Sequence, residues 1–401
     1  MVFSKLGTAA SLFGGLQTAA QLETWERDIP ASRWTVRHLV AFRLLTMPDK
    51  PFLQVIAAEH ESCPVCRPPG SFPCALDQDW IRTLTTACEL KLSQSTDSQL
   101  LRLPGGFFWV ALARAARAEG VAAKEHPRRD RQTPHREGYV DSAAAIIGSS
   151  SPTGPSSSEF EIDLNDVDED EHDDRRSKPE EVTAHLLINY LYFALNLCLR
   201  QEPDSAGEVR VRVERRKATV QVPGMYHFAA EDDGGISWMD RQVHGWSIGL
   251  PTLAFLEAKK AFKTIHIDEQ TRRVQPVVSN ETLAQYLGEA IAAWRANQKL
   301  QQEDVFLIAG TNTFMRFVHF RFGVDYAEYM DATSETAQSI LAANKDKDTF
   351  IYMHSTKWFN LQPHDDRKSA LCHILAIIKW QNRRNDLFQA MGHLHYCQSK
   401  T

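Results

Sequence analysis

Two charged side chains at the end of an apolar run are the first residues whose types and spacing suggest chemistry. Glu257 and Lys259 close a run that begins at Leu253. On a strand, residues two apart share a face, so this carboxylate and this ammonium are predicted to emerge together, on the same side as Leu253 and Phe255. Buried charges cost free energy unless they are paired, hydrated or bound to a metal ion. A strand that simply leaves the core is the alternative explanation, and the neighbouring sequence must decide between the two.

More polar side chains lie near this strand in the sequence. The preceding strand candidate ends in the carboxylate of Asp240, and Asp232 and Asp233 come just before that strand in a turn-like stretch. The following helix, which opens with an asparagine and a glutamate, carries Gln285 and Glu289 four residues apart on one flank. Acidic and amide groups are therefore predicted on three consecutive elements.

The elements around the strand are predicted in the order helix, strands, helix, strands, helix. An apolar stretch over residues 182–199 follows Pro179 and two acids, as expected of a helix N-terminus. His185 and the charged flanks favour a buried helix over a membrane span. The alternating run 208–214 is predicted to pair with the run 218–222 as a hairpin. The later elements are a helix over 283–294, strands over 305–309 and 314–322, and a helix over 370–380.

Composition divides the chain into three parts. Residues 1–117 show helical periodicity and are predicted to form a mainly helical N-terminal region. Residues 118–178 are rich in Ser, Pro, Gly and charge, which predicts a disordered linker, basic at first and then acidic. We favour a solvated tether, although the segment 160–164 resembles a SUMO-binding strand and suggests a protein partner through the linker. Residues 179–401 contain most of the predicted strands.

A possible zinc site lies in the N-terminal region. His60, Cys63, Cys66 and Cys74 could supply four zinc ligands, although a compact set of this spacing is unusual. Free thiols in a Pro-rich loop are the alternative. The seven cysteines of the chain are odd in number and mostly scattered, which fits a reducing compartment. We therefore expect an intracellular protein of the nucleus or cytoplasm.

Overall composition excludes some classes of protein. With 401 residues, 43% hydrophobic, nine Trp and twenty Phe, the chain can build a sizeable core. Its formal net charge of −6 argues against a uniformly basic nucleic-acid binder, so only local charge is informative. Glycines interrupt the apolar start of the chain, which argues against a signal peptide or membrane span there.

The chain from about residue 179 to residue 380 resembles the PD-(D/E)XK nuclease superfamily, and within it a fungal branch of uncharacterised nuclease-like proteins. Asp240, the triplet Glu257-Ala258-Lys259, and Gln285 carry the resemblance, in the family's order. Glu181 would be the acid of the first helix. The resemblance implies an α/β (α+β) fold, in which helices flank a mixed sheet and the carboxylates lie where strands separate.

The resemblance also implies a metal-dependent nuclease that hydrolyses phosphodiester bonds of DNA or RNA with Mg²⁺ or Mn²⁺. Asp240 and Glu257 would bind the metal, since hard cations take oxygen ligands. Lys259 would orient or deprotonate the attacking water, and Gln285 would orient water or substrate.

Some alternatives remain open. Methionine rather than proline precedes the predicted aspartate, so Asp232 and Asp233 are rival candidates for that position. Arg316, His319 and Arg321 are candidates for contacting phosphate, or simply strand residues facing water. A nuclease-like fold that no longer cuts, and serves as a binding or regulatory module, is the alternative from a different functional class.

Overall fold

The computed structural model describes residues 18–61, 63, 65, 76–117, 179–201, 206–222, 225–260, 265–267, 274–297 and 303–385. The predicted linker, with its segment 160–164, lies outside the described residues. The parts of the chain before and after the linker form one compact unit. Within the described part of the chain, no helix is long and apolar enough to cross a membrane.

The described α-helices are short before the linker and longer after it. They are α1 (Thr24–Arg27), α2 (Val36–Ala41), α3 (Ala57–Glu61), α4 (Gln78–Thr85), α5 (Asp97–Leu101), α6 (Gly106–Ala116), α7 (Glu180–Tyr192), α8 (Asn280–Asn297), α9 (Tyr326–Asp331), α10 (Glu335–Ala343) and α11 (His364–Asn385). A π-helical turn, Phe193–Cys198, continues α7. The predicted helices after the linker are therefore present.

The described strands form one large sheet and two small ones. They are β1 (Leu44–Thr46), β2 (Gly207–Arg212), β3 (Arg216–Val222), β4 (Tyr226–Asp232), β5 (Gly235–Gln242), β6 (Gly245–Lys259), β7 (Ile265–Ile267), β8 (Val274–Pro276), β9 (Asp304–Thr311), β10 (Phe314–Phe322), β11 (Ile351–Ser355) and β12 (Phe359–Asn360). β3 pairs with β4, and β7 pairs with β8.

The large sheet has eight strands and is mixed. Its order is β1-β11-β10-β9-β6-β5-β2, with β12 added beside β10. β6 runs antiparallel to β5 and parallel to β9, and α8 lies between β6 and β9 in the chain. A parallel pair needs a crossover connection, which this helix supplies. The expected mixed sheet flanked by helices is therefore present.

Each face of the large sheet is covered by helices. One core combines the sheet with buried side chains of α4, α6, α7 and α11. The other core combines it with α2, α8, α9 and the β3–β4 hairpin. Phe255 belongs to the second core, while Ala254, Leu256 and Ala258 belong to the first, so the end of β6 alternates between faces as predicted. The prediction is wrong for Leu253, which belongs to the first core, because the pairing of β6 with β5 is irregular just before Ala254. Glu257 and Lys259 follow Phe255 in this alternation.

One predicted strand pairing is wrong. The runs 208–214 and 218–222 do not form a hairpin with each other, because β2 pairs with β5 and β3 pairs with β4. Both runs alternate correctly, but alternation shows only that a segment is a strand with one buried face. The choice of partner depends on the rest of the sheet, and the β3–β4 hairpin is an insertion between two neighbouring strands.

Candidate active site

Three acidic side chains from three different elements meet at one point. Glu180 comes from the first turn of α7, Asp233 from the connection between β4 and β5, and Glu257 from the end of β6. One carboxylate oxygen of each lies within 4.8 Å of the others. We call these three residues the acid cluster. Its members are far apart in sequence, so only the packing of a helix against the strand pair assembles it.

The position of Asp233 follows from the pairing of β5 with β6. These strands are antiparallel, and Gly235 at the start of β5 lies opposite Phe255 near the end of β6. The backbone N–H of Asp233 donates to the carbonyl of Leu256 over 2.9 Å. The carboxylate of Asp233 in turn accepts a 3.0 Å hydrogen bond from the backbone N–H of Ala258. The Asp233 side chain is therefore fixed directly beside Glu257.

Two donors converge on one oxygen of Glu257. Lys259 Nζ and Gln285 Nε2 each lie 2.5 Å from Glu257 Oε1. The same amide nitrogen of Gln285 lies 2.8 Å from Glu289 Oε1. The structure thus brings together three of the residues predicted from the sequence, Glu257, Lys259 and Gln285. It adds Glu289, one helical turn after Gln285.

The environment of the acid cluster disfavours its full negative charge. Burial raises the pKa of Glu257 to about 8, with Asp233 and Glu180 adding to the rise and Lys259 opposing it. Burial also raises the pKa of Glu180 against the opposing effect of Lys259. Burial by itself would lower the pKa of Lys259, but the neighbouring carboxylates outweigh it, Glu257 most of all, and raise that pKa. Lys259 and the half-exposed Arg215, which lies 3.1 Å from Asp233, are two cations beside three acids, so the cluster favours an additional cation.

Glu289 is a fourth acid, and its surroundings favour its protonated form. The residue is 3% exposed, and its Oε2 has no hydrogen-bond partner among the residues that the structure describes. Burial, and next the charge of Glu257, raise the pKa of Glu289 well above its ordinary value. A neutral Glu289 can accept the hydrogen bond of Gln285 without adding charge to the cluster.

The structure does not bring Asp240 to the acid cluster. Asp240 pairs with Gly207 and Ser247, and its carboxylate accepts a 2.8 Å hydrogen bond from the indole of Trp238. Along β5, Asp240 lies opposite Ser247, five positions after Gly235, which lies opposite Phe255, a distance of about 17 Å. Asp240 therefore cannot share a metal ion with Glu257, and the expectation that the two meet is corrected. Because β5 and β6 are antiparallel, the end of β6 lies beside the start of β5. An acid close to Glu257 must therefore come just before β5, as the rival candidate Asp233 does.

Two other acids named from the sequence lie outside the cluster. Asp232 forms a double ion pair with Arg212, at 2.7 and 2.8 Å, and so stabilises the strands around it. Glu181 is exposed, whereas its neighbour Glu180 lies in the cluster with Lys259 Nζ 3.8 Å from its Oε2. Both acids occupy the first turn of α7, and only the packing of that helix distinguishes them.

The basic residues of β10 that were candidates for phosphate contacts are divided between the two faces of the sheet, and two of them are buried against acids. Arg316 is 6% exposed and pairs with Asp49 at 3.1 Å. His319 is 3% exposed and lies 2.6 Å from Asp304. Arg321 is exposed. The interpretation of these residues as one phosphate-binding row is therefore not supported by their contacts.

An arginine that sequence reasoning missed lies at the acid cluster instead. Arg215 Nη2 is 3.1 Å from Asp233 Oδ1, and the Arg215 side chain is 53% exposed. Glu180 and Lys259 are also partly open to solvent, with side chains 30% and 19% exposed. Solvent therefore reaches the cluster on the side lined by Arg215, Lys259 and Glu180. The two cations on this side suit an anionic ligand.

The predicted zinc ligands are only partly described. His60 and Cys63 lie together, and the third ligand-type residue beside them is Cys372 of α11. Cys66 and Cys74 lie outside the described residues. A contribution from the C-terminal helix could not be read from local spacing in the N-terminal region.

Comparison of the chain with models of known protein families, with characterised proteins and with solved structures found no match. The acid cluster and the elements that hold it are therefore the basis on which a function is inferred.

Proposed function

We propose that the chain is a metal-dependent nuclease of the PD-(D/E)XK superfamily that hydrolyses phosphodiester bonds of DNA or RNA. The observation that carries the proposal is the convergence of Glu180, Asp233 and Glu257 within 4.8 Å, beside Lys259. The order of elements around the cluster also supports it. A helix is followed by three antiparallel strands, β2, β5 and β6, then by a helix and a further strand, the arrangement that the resemblance implies.

Mg²⁺ or Mn²⁺ is the cofactor that we propose for this site. Asp233 and Glu257 would hold the ion, with Glu180 beside them, because hard cations prefer carboxylate oxygens. When bound, the ion would polarise a phosphoryl oxygen and lower the pKa of a water molecule. The raised pKa values of Glu257 and Glu180 fit this role, since a cation relieves the excess of negative charge at the cluster.

The remaining residues would position the reacting groups. The ammonium of Lys259 would orient the attacking water and offset negative charge that develops on the phosphate. Gln285 would keep the Glu257 carboxylate in one orientation through its 2.5 Å hydrogen bond. A second hydrogen bond of 2.8 Å, from the same amide nitrogen to Glu289, would hold the Gln285 side chain in place. Arg215, half-exposed at the entrance, would meet a phosphate oxygen of the substrate.

A cleavage assay on the full chain tests the proposal. Single- and double-stranded DNA and RNA are incubated with the protein and Mg²⁺ or Mn²⁺. Glu257→Gln and Asp233→Asn should each lower the cleavage rate by roughly 100-fold or more, because each removes a metal ligand. Asp240→Asn is the matched control, since it makes the same change on the same strand pair away from the cluster. It should leave the rate unchanged.

Two outcomes would count against the proposal in different ways. Cleavage that persists in the Asp233→Asn and Glu257→Gln double variant would remove the acid cluster from the reaction. A wild-type protein that binds divalent metal at the cluster but cuts none of the four substrates would favour the alternative, a catalytically inactive nuclease-like binding or regulatory module.

A further inference from the structure

His60, Cys63 and Cys372 form a second group of metal-ligating side chains, which the proposed nuclease function does not use. One imidazole nitrogen and the two Sγ atoms all lie within 4.8 Å of one another. Cys63 is 2% exposed and Cys372 is 1% exposed, whereas His60 is half-buried. Two buried thiols and an imidazole at this spacing, drawn from distant parts of the chain, need a physical reason.

Local structure places the first two residues together. His60 lies in the last turn of α3, and Cys63 follows where the chain leaves the helix. The backbone N–H of Cys63 donates to the carbonyl of His60 over 2.9 Å, which closes a turn between them. Cys372 reaches the pair from α11, near the other end of the chain. The group is therefore a product of the tertiary fold.

The donor set matches the preferences of zinc. Zn²⁺ takes thiolate sulfur at about 2.3 Å and imidazole nitrogen at about 2.0–2.1 Å, usually in a tetrahedral arrangement. Ligand atoms around such an ion lie roughly 3.5–3.8 Å apart. The observed separation of at most 4.8 Å is close enough that small side-chain rotations would bring the three atoms onto one ion. Mg²⁺ and Ca²⁺, which require oxygen ligands, do not fit.

Packing around the imidazole restricts its orientation. The ring of Phe52 lies between those of His60 and His373, with centroid distances of 4.1 and 3.8 Å. The Phe52–His60 contact is stacked, which limits rotation of the His60 ring. Ligands held in place before the metal binds are typical of structural sites.

We propose that His60, Cys63 and Cys372 are three ligands of a structural zinc ion that fastens the end of α3 to α11. The site differs from the compact N-terminal one predicted from the sequence because it takes a ligand from the C-terminal helix. Zinc in a structural site has a fourth ligand. The three residues account for three of the four positions, and the absorption spectrum of the cobalt-substituted protein reports the complete geometry.

The zinc site and the acid cluster share no residue, although α7, which supplies Glu180, packs in the same core as Cys63 and Cys372. Cys63 and Cys372 belong to the core that contains α6, α7 and α11. Glu257 is hydrogen-bonded to Gln285 of α8, on the opposite face of the sheet. Zinc should therefore contribute to the stability of the fold, and its presence does not depend on whether the protein cleaves nucleic acid.

Metal analysis of the full chain, purified under reducing conditions, tests the proposal. We expect one zinc ion per chain, and replacement by Co²⁺ should give the absorption bands of a tetrahedral thiolate site. Cys63→Ser and Cys372→Ser should each weaken zinc binding at least ~10-fold. Cys198→Ser is the matched control, because Cys198 is buried in the same core but lies outside the ligand group, and it should retain zinc.

A measurement on the wild-type protein covers the case in which Cys372→Ser does not fold. With an NMR-active cadmium isotope in place of zinc and labelled cysteine, scalar coupling should connect the metal to the β-carbons of Cys63 and Cys372. Unchanged zinc content in a folded Cys372→Ser variant, or no coupling at Cys372, would overturn the proposal in favour of a purely N-terminal site. A zinc-free wild type, with or without a Cys63–Cys372 disulfide, would also overturn it.

Discussion

Glu257 is more buried than Asp233, at 2% exposure against 8%, and its proton must leave before the carboxylate can bind a metal ion. The pKa of this residue rises from the ordinary value of 4.5 to about 8, mainly because of burial. Between these two values the folded state holds a proton that the unfolded state has released. The contribution of Glu257 to the stability of the metal-free protein is therefore present at low pH and is lost as the pH rises through 8.

The affinity for divalent metal should show the opposite dependence on pH. Binding displaces the proton of Glu257, so we expect the affinity for Mn²⁺ to rise roughly tenfold per pH unit below pH 8 and then to level off. Calorimetry in two buffers of different ionisation enthalpy measures the released proton. Glu257→Gln should reduce the proton release, and Asp240→Asn should not. An affinity that stays constant from pH 6 to pH 8 would contradict the prediction.

Lys259 allows metal binding to be separated from catalysis. Its ammonium opposes the rise in the pKa of Glu257 but is not a metal ligand. We expect Lys259→Met to lower the cleavage rate by roughly 100-fold while the protein still binds Mn²⁺, because the variant loses charge stabilisation and keeps the carboxylates. Lys260→Met is the matched control, since Lys260 is the exposed next residue, and it should cleave normally. If Lys259→Met cleaves as fast as Lys260→Met, the ammonium of Lys259 only offsets the negative charge of the acid cluster and takes no part in the reaction.

At the scale of single elements, local rules predicted what depends on local periodicity. The period of two placed Glu257 and Lys259 on one face of β6, and the helical pattern placed Gln285 on the helix that follows. Strand partners depend on distant sequence, so the pairing of 208–214 with 218–222 was wrong. The choice of Asp240 failed for a related reason, because the direction of β5 relative to β6 decides which end of β5 lies at Glu257.

The connection that holds Asp233 depends on a glycine at the start of β5. Gly235 has φ of +149°, and a Cβ there would lie 2.3 Å from the carbonyl oxygen of Ala254. We expect Gly235→Ala to lower the free energy of unfolding by about 1–3 kcal/mol for the backbone strain alone, with the clash adding to this loss. Metal affinity should fall as well, because the same backbone positions Asp233. Chemical denaturation and calorimetry measure the two effects.

A second glycine provides a control for the strain. Gly245 has a similar φ of +143°, but a Cβ there would meet no atom of the described residues within 4 Å. Gly245→Ala should therefore show the strain without the clash and without any loss of metal affinity. If both variants lose the same stability and the same affinity, the close approach of Gly235 to β6 is not what positions Asp233.

At the scale of the whole molecule, the region before residue 117 is part of the same folded unit as the region after residue 178. β1 pairs in parallel with β11 at the edge of the large sheet. The guanidinium of Arg367 on α11, 1% exposed, donates to the carbonyls of Leu84 and Thr86 over 2.8 and 2.5 Å. Composition predicts a linker between these regions, but composition is a local property and could not show that the regions share a sheet and a core.

This integration leads to a prediction about fragments. A chain of residues 179–401 alone should not fold, because it leaves Arg367 without two of its hydrogen-bond acceptors and uncovers the apolar face beneath α4 and α6. Each unsatisfied buried group costs about 1–3 kcal/mol, and a charged one costs more, against a total stability of about 5–15 kcal/mol. Thermal unfolding followed by near-ultraviolet circular dichroism should show no cooperative transition for this fragment.

The matched experiment restores the missing contacts without restoring the covalent connection. Fragments 1–117 and 179–401, expressed together, should associate one to one and unfold cooperatively, because β1, Leu84 and Thr86 are then available to β11 and Arg367. The full chain cut by protease within 118–178 should likewise elute as one species in size-exclusion chromatography. A fragment 179–401 that unfolds cooperatively by itself, with the same midpoint as the full chain, would show that the N-terminal region is an accessory to a fold that is complete without it.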